Sequence, residues 1–292
     1  MTDTGGHARD VEVMVVPYDS GHRARRMGAG PARLLDEGLE RRLQEAGSSV
    51  KTTPIELPDN FFPAEPAAAF ALHRVLARAV GDASSRNAFP LILAGNCNTC
   101  LGTISGLRVP DIGIVWFDAH GDFNTPETTP SGFFDGMALA AATGRCWKEA
   151  TSFIPGFHPV EDRRIVHLGA RDFDIGENAM LAASKVEVVP AKRVRQGLSA
   201  IFDARKSHTR DVYLHLDLDV LDIGEGKVNA YSIAGGLTAE EIRNAIGEIG
   251  SAFRIRAAGI TAYDPAFDSS GDVARIAVDL AVSIVEAGGH ED

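Results

Sequence analysis

Val115-Trp116-Phe117-Asp118-Ala119-His120-Gly121-Asp122-Phe123-Asn124 joins an apolar run to three side chains of metal-binding chemistry at every second position. The apolar residues from Ile112 to Phe117 predict a strand buried on both faces. If the backbone stays extended beyond Phe117, Asp118, His120 and Asp122 all point to one side. Two carboxylates and an imidazole turned to one spot repel or desolvate each other unless positive charge lies between them. A divalent cation is the simplest source of that charge. Val212-Tyr213-Leu214-His215-Leu216-Asp217-Leu218-Asp219 repeats the arrangement, placing His215, Asp217 and Asp219 on one face of another buried strand. Either stretch alone also reads as a solvated loop after a strand. Two of them, each at the C-terminal end of an apolar strand, point to a carboxylate-rich binuclear metal centre.

Further strands are expected at Val11–Pro17, Ser49–Leu57, Pro90–Ala94, Arg164–Ala170, Lys185–Val189 and Ala257–Ala262. Between them lie helical patterns: Pro31 to about Ala46, Ala67–Val80, Gly176 onward, Pro190 to about Lys206, and Asp272–Glu286. Thr238-Ala239-Glu240-Glu241 is a capping box that opens another helix, to about Ile249. This alternation predicts an α/β fold: a mainly parallel sheet of about eight strands with helices on both faces. No linker-like shift in composition divides the chain, so residues 1–292 read as a single domain, with 1–10 a loose tail. In such sheets a ligand sits outside the carboxyl ends of the strands. Cys97, Asp118 to Asn124, Asp172 to Asp174 and Asp217 to Asp219 all follow strands.

Composition narrows the partners. With 29 basic against 40 acidic residues the net charge is −11, which argues against nucleic acid or an anionic membrane surface. No run reaches the roughly 18 apolar residues of a membrane span, and the N-terminus lacks a signal-peptide apolar region. Three cysteines are too few for a disulfide framework, so a reducing cytoplasm is expected.

Asp-Ala-His-x-Asp at 118–122, Gly-x-Arg-Asp-x-Asp at 169–174, paired aspartates within 215–222, Gly-Gly-Leu-Thr at 235–238 and an opening Gly30-Pro31 together resemble the ureohydrolase family of arginases, agmatinases and formiminoglutamases. The resemblance covers most of the chain. It implies a three-layer arginase-like fold, a trimer or hexamer, and two divalent ions, usually manganese, with a bridging hydroxide that attacks a planar amidine-type carbon. In that pattern Asp118 and Asp217 bridge both metals, Asp122 and Cys97 complete one, and His120 and Asp219 the other. Asp122 also accepts a hydrogen bond from the hydroxide. Asn124, Thr129 and Ser131 would meet a substrate carboxylate, and Asp174 an ammonium; plain loop chemistry accounts for the same residues equally.

Three departures fall at working positions. Where the family has a metal-binding His, this chain has Cys97; a thiolate at a helix N-terminus has a lowered pKa and favours zinc or iron over manganese. The competing readings are a small buried thiol, or a redox pair with Cys100. Asp135 stands where arginase carries a proton-shuttling His, and serves either catalysis or the cap of the helix that follows. Ala262 replaces the Glu that pairs with guanidinium. His215 for Ser and Phe133 for Asn further change the pocket. The reading that joins these facts is a metal-dependent hydrolase of a non-peptide C–N bond (guanidine, including N-hydroxyguanidino, amidine or formimino) in an amino-acid-like small molecule other than plain arginine. The alternative is a non-catalytic relative that binds metal or metabolite.

Overall fold

The structure is a computed structural model and describes residues 9–59 and 61–289. Of the tail expected at 1–10, residues 1–8 lie outside the described residues, and Asp10 already begins a strand. Eight strands form one sheet: β1 Asp10–Val16, β2 Ser49–Pro54, β3 Phe89–Ala94, β4 Gly113–Phe117, β5 Ile165–Leu168, β6 Glu187–Val189, β7 Asp211–Asp217 and β8 Arg254–Thr261. Their order is β2-β1-β3-β8-β7-β4-β5-β6, and every pairing is parallel.

Side chains alternate between two cores, as a strand's two-residue period requires. In β4, Val115 and Phe117 join one core, and Ile114 and Trp116 the other. The first core is covered by the helices Gly30–Asp36, Leu39–Glu45, Ala239–Ala252 and Asp272–Ala287. The second is covered by Glu65–Ser85, Cys100–Leu107 and Ala138–Ala142. The result is three layers. Among the described residues, no helix is long and apolar enough to cross a membrane.

Two expected helices are divided. The one expected from Pro31 to Ala46 breaks at Gly38, whose φ of 94° is a left-handed conformation that costs a residue without Cβ little. The one expected from Pro190 to Lys206 becomes Ala191–Val194 and Ser199–Arg205, with Gly197 at φ 91° between them.

β7 and β8, the last strands in the chain, lie between β3 and β4. Since all strands run parallel, the C-terminal ends of these four central strands share one edge of the sheet. The chain leaves β3 through Gly95, where a Cβ would fall 2.3 Å from the Tyr18 carbonyl oxygen. Only glycine permits that passage.

Candidate active site

Beyond Phe117 the backbone does not stay extended. Asp122 adopts a left-handed φ of 51°, and its carboxylate arrives by a turn, not by strand alternation. Asp118 is anchored at once: Oδ2 accepts the Trp116 indole N–H at 3.0 Å, and Oδ1 accepts the His120 amide at 2.7 Å. His120 Nδ1 lies 3.3 Å from Asp118 Oδ1 and 3.3 Å from Asp219 Oδ2. Across the sheet, Cys97 Sγ donates to Asp217 Oδ2 at 2.9 Å. Asp219 sits in the 3₁₀ turn Leu218–Val220, where its Oδ1 accepts the Ala119 amide at 3.2 Å. Arg171 holds that turn, donating to the carbonyls of Asp219 at 2.9 Å and Ile233 at 3.0 Å.

Among the described residues, two donor groups result. Cys97, Asp118 and Asp217 form one; Asp118, His120 and Asp219 form the other; within each, the ligand atoms lie within 4.8 Å of one another. Asp118 belongs to both, Asp217 to one, and Asp122 to neither. Asp122 Oδ2 is buried without a hydrogen-bond partner. His215 is not turned to the cavity as its strand position suggested. It pairs in register with Trp116, stacks on that indole (centroids 3.6 Å apart, 10° between planes), and bonds to Tyr213 and Thr261 beneath the site.

The electrostatics show what the cluster requires. Burial, and then the neighbouring carboxylates, raise Asp118, Asp122 and Asp217 above the usual carboxylate range. Burial works in the same direction on Asp219, but His120 overrides it and holds Asp219 at about 2. Burial would lower the His120 imidazole, yet Asp219 and Asp118 raise it. Burial and the surrounding aspartates, Asp217 first, also push the Cys97 thiol well up. Burial first, and then four carboxylates, thus reverse the lowering expected at a helix N-terminus. Cys97 and Cys100 are both buried, and no disulfide joins them. Sulfur, imidazole nitrogen and crowded carboxylate oxygens, one of them orphaned, are a donor set that fits divalent cations.

The ligands open onto a cavity of about 200 Å³. Its wall carries carboxyls from Asp122, Asp135, Asp172, Asp174, Glu177, Asp217 and Asp219, with apolar surface from Met27, Phe133, Phe173, Tyr231 and Ala262. Asn124, Thr129 and Ser131 line it too. Asn124 donates to Asp174 Oδ2 at 2.8 Å and accepts from Thr128 at 3.0 Å. Thr129 Oγ1 accepts the Gly132 amide at 3.0 Å, and Ser131 Oγ the Phe133 amide at 3.2 Å, at an exposed rim. Asp135 does not cap its own helix. Its carboxylate instead accepts Asn98 N at 2.8 Å, Asn98 Nδ2 at 3.0 Å and Asn96 Nδ2 at 2.8 Å, and so caps the turn that carries Cys97. Burial pushes Asp135 up to about 7 against those donors.

Sequence reasoning missed several residues here. Asn229 bridges Asp219 Oδ2 at 3.3 Å and the Ala262 carbonyl at 2.8 Å, and no local motif announces it. Glu177 accepts the Phe123 amide at 2.7 Å and completes a capping box with Asp174. That Asp-x-x-Glu spacing was the available signal.

A family model described as the Arginase family matches residues 9–286. Arginase of Brevibacillus brevis is 30% identical over 291 residues, covering 94% of this chain and 97% of that protein. The crystal structure of arginase from Bacillus cereus is similar at a TM-score of 0.85 and 30% identity, covering 97% of this chain and 99% of that one. Agmatine ureohydrolase of Thermoplasma volcanium, at 17% identity and a TM-score of 0.71, shares the fold over 98% of this chain and 92% of its own. The chain belongs to the arginase family, whose members are binuclear-metal amidinohydrolases, and is a hydrolase of that kind.

Proposed function

We propose that this hydrolase cleaves a guanidine, amidine or formimino C–N bond in an amino-acid-like small molecule other than plain arginine. One observation carries the reading. Where the resemblance expects a carboxylate for guanidinium, the cavity wall is Ala262, in a left-handed turn with φ 63° and its carbonyl held by Asn229. A guanidinium placed there would lose a buried charge partner, a cost of about 2–5 kcal/mol when one side of such a pair is removed.

Cys97, Asp118 and Asp217 would hold one divalent ion, with Asp122 joining from outside that donor group as the resemblance implies, and Asp118, His120 and Asp219 the other, together with Asp217 by the same resemblance. Manganese is the family's usual metal, with zinc or iron favoured by the sulfur. When bound, such a pair supplies a water of lowered pKa and polarises the carbon under attack. Within the chain itself, the free Oδ2 of Asp122 would accept a proton from the attacking water, and Asp135, which lines the same cavity, would donate one to the leaving amine. Asn124, Thr129 and Ser131 receive the substrate carboxylate and Asp174 its ammonium. The free cysteines support a cytoplasmic protein, and the family resemblance supports a trimer or hexamer.

The test is turnover of arginine against guanidino-modified, amidino and formimino amino acids, with manganese, zinc or iron added to metal-free protein. A modified substrate should win by at least tenfold in kcat/KM. Arginine as the best substrate would overturn the specificity assigned to Ala262.

A further inference from the structure

Beneath Cys97 a hydrogen-bonded chain runs into the sheet. Cys97 Sγ lies 3.1 Å from Thr261 Oγ1, which lies 3.2 Å from His215 Nε2; His215 Nδ1 lies 2.9 Å from the Tyr213 hydroxyl. All four residues are buried, and Thr261, His215 and Tyr213 stand outside the cavity lining. The Tyr213 hydroxyl fits only because Gly259, which pairs with His215 in β8, has no side chain: a Cβ there would fall 2.3 Å from the Tyr213 oxygen. Stacking on Trp116 fixes the His215 ring plane.

The chain has a direction. Both ring nitrogens of His215 face hydroxyl groups, Tyr213 at Nδ1 and Thr261 at Nε2, and a neutral imidazole so placed offers one donor and one acceptor nitrogen. If Tyr213 donates to Nδ1, Nε2–H donates to Thr261, and the single Thr261 hydroxyl proton then points at Cys97 Sγ. The reverse order strands the Tyr213 hydroxyl proton and turns the thiol proton away from Asp217, which lies 2.9 Å from the sulfur.

We propose that Thr261 is a positioning residue which, oriented by His215 and Tyr213, donates a hydrogen bond into Cys97 Sγ and fixes that sulfur as a metal ligand. The inference rests on the reading of Cys97 as a ligand under Proposed function. A hydrogen bond into a ligand sulfur orients it and tempers the electron density it gives the metal, as outer partners of metal ligands generally do.

The experiment titrates metal-free full-length protein with cobalt(II) and follows the sulfur-to-cobalt charge-transfer absorption. Wild type should show the band and Cys97→Ala should lose it. Thr261→Val should weaken cobalt binding about tenfold or more and move the band to longer wavelength, and Thr261→Ser should restore both. Tyr213→Phe removes one oxygen at the far end, should move the band less in the same direction, and answers the question if Thr261→Val does not fold. A wild-type band and affinity in both Thr261→Val and Tyr213→Phe would overturn the positioning role. A wild type with no band that Cys97→Ala removes would instead overturn the ligand assignment, and the positioning role with it.

Discussion

Asn124 donates its side-chain amide to Asp174 Oδ2 at 2.8 Å, so two residues assigned to opposite charges of one substrate are bonded to each other. A substrate head group that lies across both must find them already oriented, and pre-orientation lowers the cost of binding. Asn124→Ala should therefore raise KM about tenfold with kcat within about twofold, since the contact is equal in ground and transition states. Steady-state kinetics on the best substrate checks it. A fall in kcat alone would place Asn124 with the chemistry.

Asp122 has a buried oxygen with no hydrogen-bond partner among the described residues. Asp122→Asn keeps the shape and removes the proton acceptor, so kcat should fall at least about 100-fold. The metal-free variant should also melt a few degrees higher than metal-free wild type, because one of several mutually repelling buried carboxyls is gone. Unchanged turnover would remove Asp122 from the mechanism.

Cys97 closes one donor group. Elemental analysis of untagged protein should give about two metals per chain, falling towards one in Cys97→Ala. Cys97→His should shift the bound metal towards manganese, since imidazole is the harder donor. Chelation should lower the melting temperature of wild type more than that of Cys97→Ala.

Acid should destabilise the fold through two buried imidazoles. His73, bonded to Asn98 Oδ1 at 2.9 Å, and His167, with neither ring nitrogen bonded, are both lowered by burial to about 4. Folding with a depressed histidine pKa is fully favoured above the unfolded value near 6.5, and that contribution is lost as pH falls through about 4. Each histidine carries at most about 3 kcal/mol of this dependence. Melting curves between pH 7 and pH 4 should fall steeply for wild type and less for His73→Gln. Parallel curves would show that His73 is not the titrating group.

The sheet was readable because its central strands are apolar runs, and the metal-side residues because two of those runs, β4 and β7, lead into alternating Asp and His. Strand alternation did not carry over to Asp122, which turns through a left-handed residue, or to His215, whose register against Trp116 holds it beneath the site. The grip of Asn96 and Asn98 on Asp135, and of Asn229 on Asp219 and Ala262, joins segments far apart in sequence. No local pattern encodes such pairs, because side-chain amides bond wherever tertiary packing delivers a partner. Gly38 and Gly197 divide helices whose apolar spacing continues across them.

The insertion of β7 and β8 between β3 and β4 sets an order of events during synthesis. The ribosome releases Cys97 and Asp118 long before Asp217, Asp219 and Thr261 exist, and β3 and β4 have no direct pairing that could hold the early pair together. A nascent chain thus carries only part of each donor group, Cys97 and Asp118 of one and Asp118 and His120 of the other. Each donor group is therefore complete only once the final third of the polypeptide has wedged into that gap.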